Sequence, residues 1–325
     1  MRLFPEPIPL ASPRTILVAL VLGGLALVPV ISAWIDQPFY ITLFGRILVF
    51  ALAAASLNLI LGFGGMVSFG HALYLGIGAY AVGIMSFHGI TSGWAHLGAT
   101  VAVSALVAFV TGLMCLRTSG MAFIMITLAF AQMFYFLGVS LKNYGGDDGL
   151  QVAARSDFAP LFSIASNSAL YYATFVLLVV VMYATWRFIH ARFGMVVRGA
   201  KSNARRMRML GFPVLRYQVA AYVISCTICG VAGLLLANLT KFSSPSYMSW
   251  IVSGDLIVMI VIGGLATIVG PLIGAIVYVL LETALSGWTQ HWMMVLGPII
   301  VVMVLVAKRG LHGLMIDWET WLRRK

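Results

Sequence analysis

The chain has 325 residues, of which 62% are hydrophobic and 9% are charged, and its formal net charge is +11. Soluble globular domains have about 45–50% apolar and about 25% charged residues, so this composition excludes that class. A stretch of roughly 20 apolar residues crosses the hydrocarbon core of a bilayer as a helix. The composition therefore predicts an all-α integral membrane protein, a polytopic helical bundle.

Long uncharged stretches predict about ten transmembrane helices within a single transmembrane domain that covers residues 1–325. The expected ranges are 16–35, 40–61, 66–88, 96–116, 119–140, 168–188, 217–239, 249–266, 268–286 and 291–307. The first apolar run is too long for the core of a cleaved signal, so we interpret it as a retained span. The eighth and ninth spans meet at a glycine-rich sequence, and either could be a broken or half-crossing helix.

The distribution of basic residues predicts the orientation of these spans. With the N-terminus in the cytoplasm, 16 of the 20 Lys and Arg residues lie on the inner side, and the outer side keeps Arg46, Lys142, Arg155 and Lys241. This asymmetry follows the positive-inside rule, and it places both termini, including a tail at residues 308–325, in the cytoplasm. The positive charge is therefore topological, and nucleic acid is not an expected partner because no aromatic residues interleave with the basic ones.

Motifs for enzymatic chemistry are absent from the sequence. It contains no GxxxxGK[ST], HExxH or GxSxG pattern, and no carboxylates with catalytic spacing. Cys226 and Cys229 form a CxxC pattern, but within an apolar helix, so we predict that they and Cys115 are packing residues. No cofactor, no metal and no enzymatic activity are expected.

A basic loop interrupts the apolar pattern after the sixth span. Residues 187–216 hold eight of the 20 basic residues and no acidic residue. Ser202 is predicted to cap a short helix that begins at Asn203, and Gly211 is predicted to end it. Such a helix would direct its arginines away from its small apolar face, as a knob for a cytoplasmic partner or as an anchor to membrane lipid headgroups.

Small and polar residues within the spans are candidates for a translocation path. Ser68, Ala72, Gly76, Ala79 and Gly83 follow helical spacing and form one narrow face, which serves either helix packing or a path wall. Charged residues at membrane depth are costly and are functional by default. The candidates for the path are Asn58, Ser68, His71, Gly76, Asp255 and Glu282.

Four segments of the sequence resemble the LivM-type permease family of branched-chain amino acid ABC transporters. They are SLNLILGFGGMVSFGHALYLGIGAYAVG at 56–83, GGDDGL at 145–150, GMVVRGAKSNARRMRMLGFPVLRYQVAAYVISCTICGVAGLLLA at 194–237 and GGLATIVGPLIGAIVYVLLE at 263–282. The resemblance implies a permease subunit in the bacterial inner membrane, which imports branched-chain amino acids, or alternatively urea, short amides or another small solute. It also implies four partners: a second homologous permease, two cytoplasmic ATP-binding subunits and a periplasmic substrate-binding protein.

The resemblance further implies that residues 190–216 form a coupling loop, which is seated in a cleft of an ATP-binding subunit. The implied coupling residues are Gly194, Arg198, Lys201, Asn203, Arg205, Arg206, Arg208, Leu210, Gly211 and Arg216. The family loop usually carries several acidic residues, whereas Ser202, Ala204 and Arg208 stand at the matching places here. Two other classes remain open: an ion-coupled secondary transporter that uses Asp255 or Glu282, and a non-transporting membrane scaffold.

Overall fold

The computed structural model describes residues 13–159, 162–164, 166–306, 310–311 and 313. The expected tail at 308–325 therefore lies almost entirely outside the described residues. Within the described ranges the chain forms eleven α-helices. They are α1 Pro13–Ile35, α2 Pro38–Asn58, α3 His71–Phe87, α4 Gly93–Cys115, α5 Met121–Ser140, α6 Asn167–His190, α7 Arg192–Met209, α8 Val214–Thr240, α9 Trp250–Gly263, α10 Gly270–Trp288 and α11 Trp292–Val306.

The helical membrane architecture is confirmed, whereas the number of ten spans is not. Among the described residues, six helices are long and apolar enough to cross a bilayer: Pro38–Phe63, Gly93–Cys115, Met121–Ser140, Asn167–His190, Val214–Thr240 and Gly270–Trp288. Four further apolar helices are shorter: Val18–Ser32, His71–Phe87, Trp250–Gly263 and Trp292–Met303. The remaining helix, α7, is polar and coincides with the basic loop.

Two segments that begin with a glycine and end at or beside one explain why α3 and α9 are short. We name residues 62–70 the first glycine loop and residues 264–269 the second glycine loop. The first follows α2, which continues as a π-helical turn over Leu59–Phe63, and the second joins α9 to α10. The predicted start of the third span at residue 66 is wrong, because the chain stays irregular until His71 and leaves Ser68 outside the helix.

The start of α3 is held by three hydroxyl groups from different parts of the chain. Thr127 Oγ1 in α5 accepts a hydrogen bond from the Phe69 N–H at 3.2 Å, and Ser253 Oγ in α9 accepts one from the Ala72 N–H at 3.0 Å. Ser68 Oγ accepts from the Gly70 N–H at 3.2 Å. A helix start inside a membrane has no water for its free amides, so these hydroxyls also fix α5 and α9 against α3.

Helices α2 and α8 form the centre of the bundle. Within the apolar stretch of each span, 78% of the α2 stretch and 67% of the α8 stretch is buried inside the bundle. In α5 the buried share is only 22%. Helices α3 and α8 approach closely, because Gly78 lies against the Gly230 carbonyl group and Gly233 against that of Leu75. Glycine at such contacts lets two helix backbones pack closely. Close packing matters in a membrane because lipid gives no hydrophobic driving force for the association of helices.

A small cap covers the helix ends on the side of the 141–166 loop. The strands β1 Leu150–Gln151 and β4 Phe242–Ser243 pair antiparallel, as do β2 Asp157–Phe158 and β3 Phe162–Ser163. Asn238 Oδ1 accepts a hydrogen bond from the Ser156 N–H at 2.7 Å, and Arg155 Nε donates to the Asn238 carbonyl oxygen at 3.2 Å. The longest loop is thereby fastened to the end of α8.

Candidate functional site

The predicted coupling loop at residues 190–216, called the coupling loop below, consists of a packed half and an exposed half. Asn203 has φ −159° and ψ 96°, so it breaks α7 into two helical pieces. In the first piece Gly194, Val196, Val197 and Ala200 are buried. In the second piece, and in the turn that follows it, most side chains are exposed to solvent. We name residues 204–212 the basic tip.

The predicted ends of the basic tip agree with the structure, except that the capping residue differs by one position. Asn203 Oδ1 accepts a hydrogen bond from the Arg206 N–H at 3.0 Å, so the capping residue is Asn203 and the prediction of Ser202 was one residue early. A cap needs an extended backbone that turns its side-chain oxygen to the free amides, and Asn203 has that backbone. Gly211 ends the helix with φ +86°, and its N–H donates to the Arg208 carbonyl oxygen at 2.9 Å.

The surface of the tip combines positive charge with apolar side chains. Arg205, Arg206 and Arg208 are exposed. Met209 is 87% exposed and Leu210 is 65% exposed. A convex knob of this composition can fill an apolar cleft in a partner while its arginines bind carboxylates at the rim. Of the other implied coupling residues, Gly194 is buried, Arg198 is half-buried and Arg216 is exposed beyond the tip.

Lys201 connects the coupling loop to the membrane-embedded part of the chain. Its Nζ donates a hydrogen bond to the Gly62 carbonyl oxygen at 2.6 Å, at the π-helical end of α2. The lysine stem also lies against Gly65, whose φ of +71° is a conformation that favours glycine. The packed half of the coupling loop is therefore attached to the first glycine loop, and the basic tip follows it beyond the break at Asn203.

Asn58 connects the first glycine loop to the second. Its Nδ2 donates to the Thr267 carbonyl oxygen at 2.7 Å, and its Oδ1 accepts from the Ala266 N–H at 3.2 Å. The backbone of Ala266 lies so close to Gly62 that a Cβ atom there would clash. The contacts thus run from Lys201 in the packed half of the coupling loop through α2 to the loop between α9 and α10.

The other candidates in the first glycine loop and α3 have partners within the chain. Ser68, His71 and Gly76 are buried, and Gly76 lies against Met248. His71 Nε2 lies 3.0 Å from Ser225 Oγ, and that hydroxyl donates to the Ser56 carbonyl oxygen. Because the Ser225 proton is used there, His71 must be the donor in the first bond. A role for these residues in a path stays a prediction.

Asp255 and Glu282 are both paired. The Tyr278 hydroxyl donates to Asp255 Oδ1 at 2.6 Å, and Arg46 Nη2 donates to Glu282 Oε1 at 2.9 Å. The Arg46 guanidinium also lies 5.5 Å from the centroid of the Phe50 ring. Sequence reasoning missed both partners. One signal was available, since Arg46 is the single charged residue between positions 38 and 63 and needed a counter-ion.

The cysteines lie in the helical interior. Cys115, Cys226 and Cys229 are buried thiols without a disulfide, and Cys229 Sγ contacts the His71 carbonyl oxygen at 3.4 Å. Among the described residues, no group of three or more His, Cys, Asp or Glu side chains could hold a metal ion.

Comparisons with known proteins assign the chain to a family. It is 22% identical to the high-affinity branched-chain amino acid transport system permease proteins LivM of Salmonella typhimurium and Escherichia coli, over 81% of this chain and 68% of theirs. It is 23% identical to the LivH permease of Escherichia coli, over 81% of this chain and 91% of that protein. No solved structure matches the chain significantly.

The family comparison covers most of the helical bundle. The family model described as "Branched-chain amino acid transport system / permease component" matches residues 39–306, which include both glycine loops and the coupling loop. It describes transport subunits rather than enzymes. The chain therefore belongs to the family of permease components of branched-chain amino acid transport systems.

Proposed function

We propose that this chain is one of two membrane-spanning subunits of an ABC importer for branched-chain amino acids or a related small solute. The observation that carries the proposal is the coupling loop, which presents an exposed basic tip and is attached, in its packed half, by Lys201 to the carbonyl oxygen of Gly62. When a partner bound to the tip moves, the movement passes through this attachment to the transmembrane helices. The sequence has no Walker A motif of its own, so ATP is hydrolysed on partner subunits.

The assembly follows from the two ends of the bundle. Two cytoplasmic ATP-binding subunits receive the basic tips of this chain and of a second, homologous permease. A periplasmic substrate-binding protein delivers the solute to the cap at residues 141–167 and 240–250. The four shorter apolar helices complete ten crossings of the bacterial cytoplasmic membrane, with both termini in the cytoplasm, and Asp255 and Glu282 border the path.

The names of the relatives support branched-chain amino acids as the solute. Urea, short amides and other small organic solutes are the alternatives. A ligand screen on the substrate-binding protein of the same system decides among them, because that protein selects the solute before it reaches the permease.

Charge reversal at the basic tip tests the proposal. The triple variant R205E/R206E/R208E should still insert into the membrane, but it should lose co-purification with the ATP-binding subunits and lose uptake. The matched control R117E/R187E/R192E reverses three exposed arginines on the same side of the membrane, outside the tip. This control variant reports whether charge reversal by itself disturbs the orientation of the protein in the membrane. Equal co-purification of both variants would contradict the docking role.

A second experiment separates the importer from an ion-coupled transporter. Uptake that depends on ATP, and that survives collapse of the proton gradient in reconstituted vesicles, supports the ABC importer. The ion-coupled class predicts the reverse. The pairing of Asp255 with Tyr278 and of Glu282 with Arg46 gives each acid a structural partner and does not favour that class.

A further inference from the structure

One side of α6 is exposed along the whole length of the helix. Only 33% of the apolar stretch of this span is buried inside the bundle. The exposed side chains recur at helical spacing and form one stripe, opposite the buried residues of the helix. The apolar members of this stripe, which we name the α6 stripe, are Tyr172, Val176, Val179, Val180 and Tyr183. In the last turn the same side carries Trp186, Arg187 and His190, so an apolar surface ends in an aromatic and basic one.

A pocket of about 460 Å³ lies at the end of the α6 stripe. Its lining includes the side chains of Trp186, Arg187 and His190, together with Ala184, Phe188 and Ala191. Pockets that bind small molecules measure about 300–1,000 Å³. The size therefore suits a small polar group, and two basic side chains supply positive charge at its wall.

The basic groups of this pocket have no acidic partner in the described part of the chain. The sequence contains no Asp or Glu from Phe158 to Gly254, and among the described residues no carboxylate forms an ion pair with Arg187 or His190. His190 Nδ1 lies 2.7 Å from the Trp186 carbonyl oxygen. Because a carbonyl oxygen only accepts, Nδ1 is the donor in this bond, and Nε2 remains available to a ligand.

The aromatic rings place the pocket at the boundary between lipid tails and headgroups. Tyr183 and Trp186 are stacked with their ring centroids 5.9 Å apart, and the Trp186 and His190 rings lie 5.1 Å apart. Tyrosine and tryptophan are enriched at the headgroup level of membranes. Apolar residues, interfacial rings and cations thus follow one another along α6 in the same order as the tails, the glycerol region and the phosphate of a phospholipid.

We propose that this pocket binds the phosphate group of an anionic phospholipid, whose acyl chain lies along the α6 stripe. The Arg187 guanidinium donates to two phosphate oxygens in a fork geometry, and the imidazolium form of His190 donates through Nε2. A soluble phosphate or an acidic protein segment would satisfy the same charges, but it would not account for the apolar stripe that leads into the pocket. The continuity of the two surfaces favours lipid.

The position of the pocket connects the lipid to the coupling loop. Helix α7 begins at Arg192, directly after the pocket residue Ala191. A bound headgroup therefore lies at the root of the packed half of the loop. In the orientation given under the proposed function, this is the cytoplasmic leaflet.

Lipid titration of the full chain tests the proposal. Detergent-solubilised protein is titrated with anionic phosphatidylglycerol or with zwitterionic phosphatidylcholine, and bound lipids are counted by native mass spectrometry. The tightest site should prefer phosphatidylglycerol by about tenfold or more, because two basic groups act on one headgroup. The variant R187Q/H190Q should lose this preference. Both side chains are exposed, so the variant should fold normally.

A control variant separates the pocket from general positive charge. R117Q/R216Q removes two exposed arginines predicted to lie on the same side of the membrane, outside the pocket, and it loses at least as much positive charge. We expect it to keep the preference for phosphatidylglycerol. An unchanged preference in R187Q/H190Q, or an equal loss in both double variants, would overturn the proposal.

Two further measurements distinguish lipid from the other occupants. Inorganic phosphate in large excess should not displace the bound lipid, and displacement would reassign the pocket to a soluble anion. R187Q/H190Q should still co-purify with the ATP-binding subunits. Loss of co-purification with unchanged lipid binding would reassign the pocket to a protein partner. The lipid titration involves neither solute nor ATP, so its failure would leave the proposed function standing.

Tryptophan fluorescence locates the bound lipid. Phosphatidylglycerol with brominated acyl chains quenches the indole rings that it contacts, and a small fraction of it in phosphatidylcholine vesicles should quench the wild-type protein. Trp186→Phe should remove much of this quenching. Trp34→Phe is the control, because Trp34 is 94% exposed and is predicted to lie on the opposite side of the membrane. Equal quenching of the two variants would overturn the placement beside α6.

Discussion

Lys201 and Gly62 are 139 positions apart in the sequence, yet Lys201 Nζ lies 2.6 Å from the Gly62 carbonyl oxygen. One partner belongs to the packed half of the coupling loop and the other to the π-helical end of α2. The packed half of the coupling loop is therefore bonded directly to the end of α2, in addition to its connection along the chain to α8.

Replacing Lys201 with Met should uncouple ATP hydrolysis from uptake. The substitution keeps the apolar stem that lies against Gly65 but removes the hydrogen bond to Gly62. We expect uptake to fall about tenfold or more, which corresponds to the loss of one charge-assisted hydrogen bond of at least about 1.5 kcal/mol. The ATP-binding subunits should still bind and hydrolyse ATP. The ratio of solute imported to ATP hydrolysed, in reconstituted vesicles, measures the effect. Lys142→Met, at an exposed lysine predicted to lie on the opposite side of the membrane, serves as the control. A similar drop in the ratio of solute to ATP in that variant would contradict a coupling role for the bond between Lys201 and Gly62.

Replacing Asn58 with Ala should destabilise the bundle. The change removes two hydrogen bonds and leaves the Ala266 N–H and the Thr267 carbonyl group without a side-chain partner. Each of the two unsatisfied buried groups costs about 1–3 kcal/mol, so we expect a loss of about 2–6 kcal/mol. Thermal unfolding of the detergent-solubilised protein reports the change as a lower Tm. Asn143→Ala removes an exposed amide in the 141–166 loop and should leave Tm unchanged.

Replacing Gly78 with Ala should push α3 away from α8. A Cβ atom at this position would clash with the Gly230 carbonyl oxygen, a backbone atom that cannot rotate away. Overpacking of this kind costs about 1–3 kcal/mol. Gly98→Ala is the control, because nothing lies within 4 Å of the added methyl group. Equal Tm values for the two variants would show that the helices separate without cost.

The ion pair of Arg46 and Glu282 predicts that single substitutions do more harm than a double one. Their side chains are 41% and 17% exposed, so a removed partner leaves the other charge partly desolvated. Arg46→Met and Glu282→Met should each lower the yield of monodisperse protein, whereas the double variant should recover much of it. Size-exclusion chromatography of the extracted protein measures the yield. Strictly additive losses would mean that the two charges do not interact.

The sequence predicted helices well and their interruptions less well. Uncharged stretches located every long span, because a run of apolar residues has few other stable states in a bilayer. The start of α3 was misplaced, since apolar residues such as Met66 and Val67 give no sign that the preceding glycines turn the chain. The break between α9 and α10 was expected from the Gly263–Gly270 cluster, and the structure contains it.

The candidate site was predictable only where it is local in sequence. The cap of the basic tip and its end at Gly211 follow from neighbouring residues, and the error at Ser202 was a single position. The bonds of Lys201 to Gly62 and of Asn58 to Thr267 join positions 139 and 209 residues apart. Nothing in helical periodicity encodes such pairs, since they arise only when both glycine loops meet at the end of α2.

The break of α7 at Asn203 makes the basic tip a separable cassette. The packed half fixes the loop to the bundle, while residues 204–212 carry the exposed arginines, Met209 and Leu210. These nine residues can therefore change by mutation without disturbing the buried core of the bundle. Under the proposed function, duplicated transport systems in one cell diverge in this cassette and so avoid exchanging their ATP-binding subunits, and grafting it onto another permease changes which ATP-binding subunit that permease recruits.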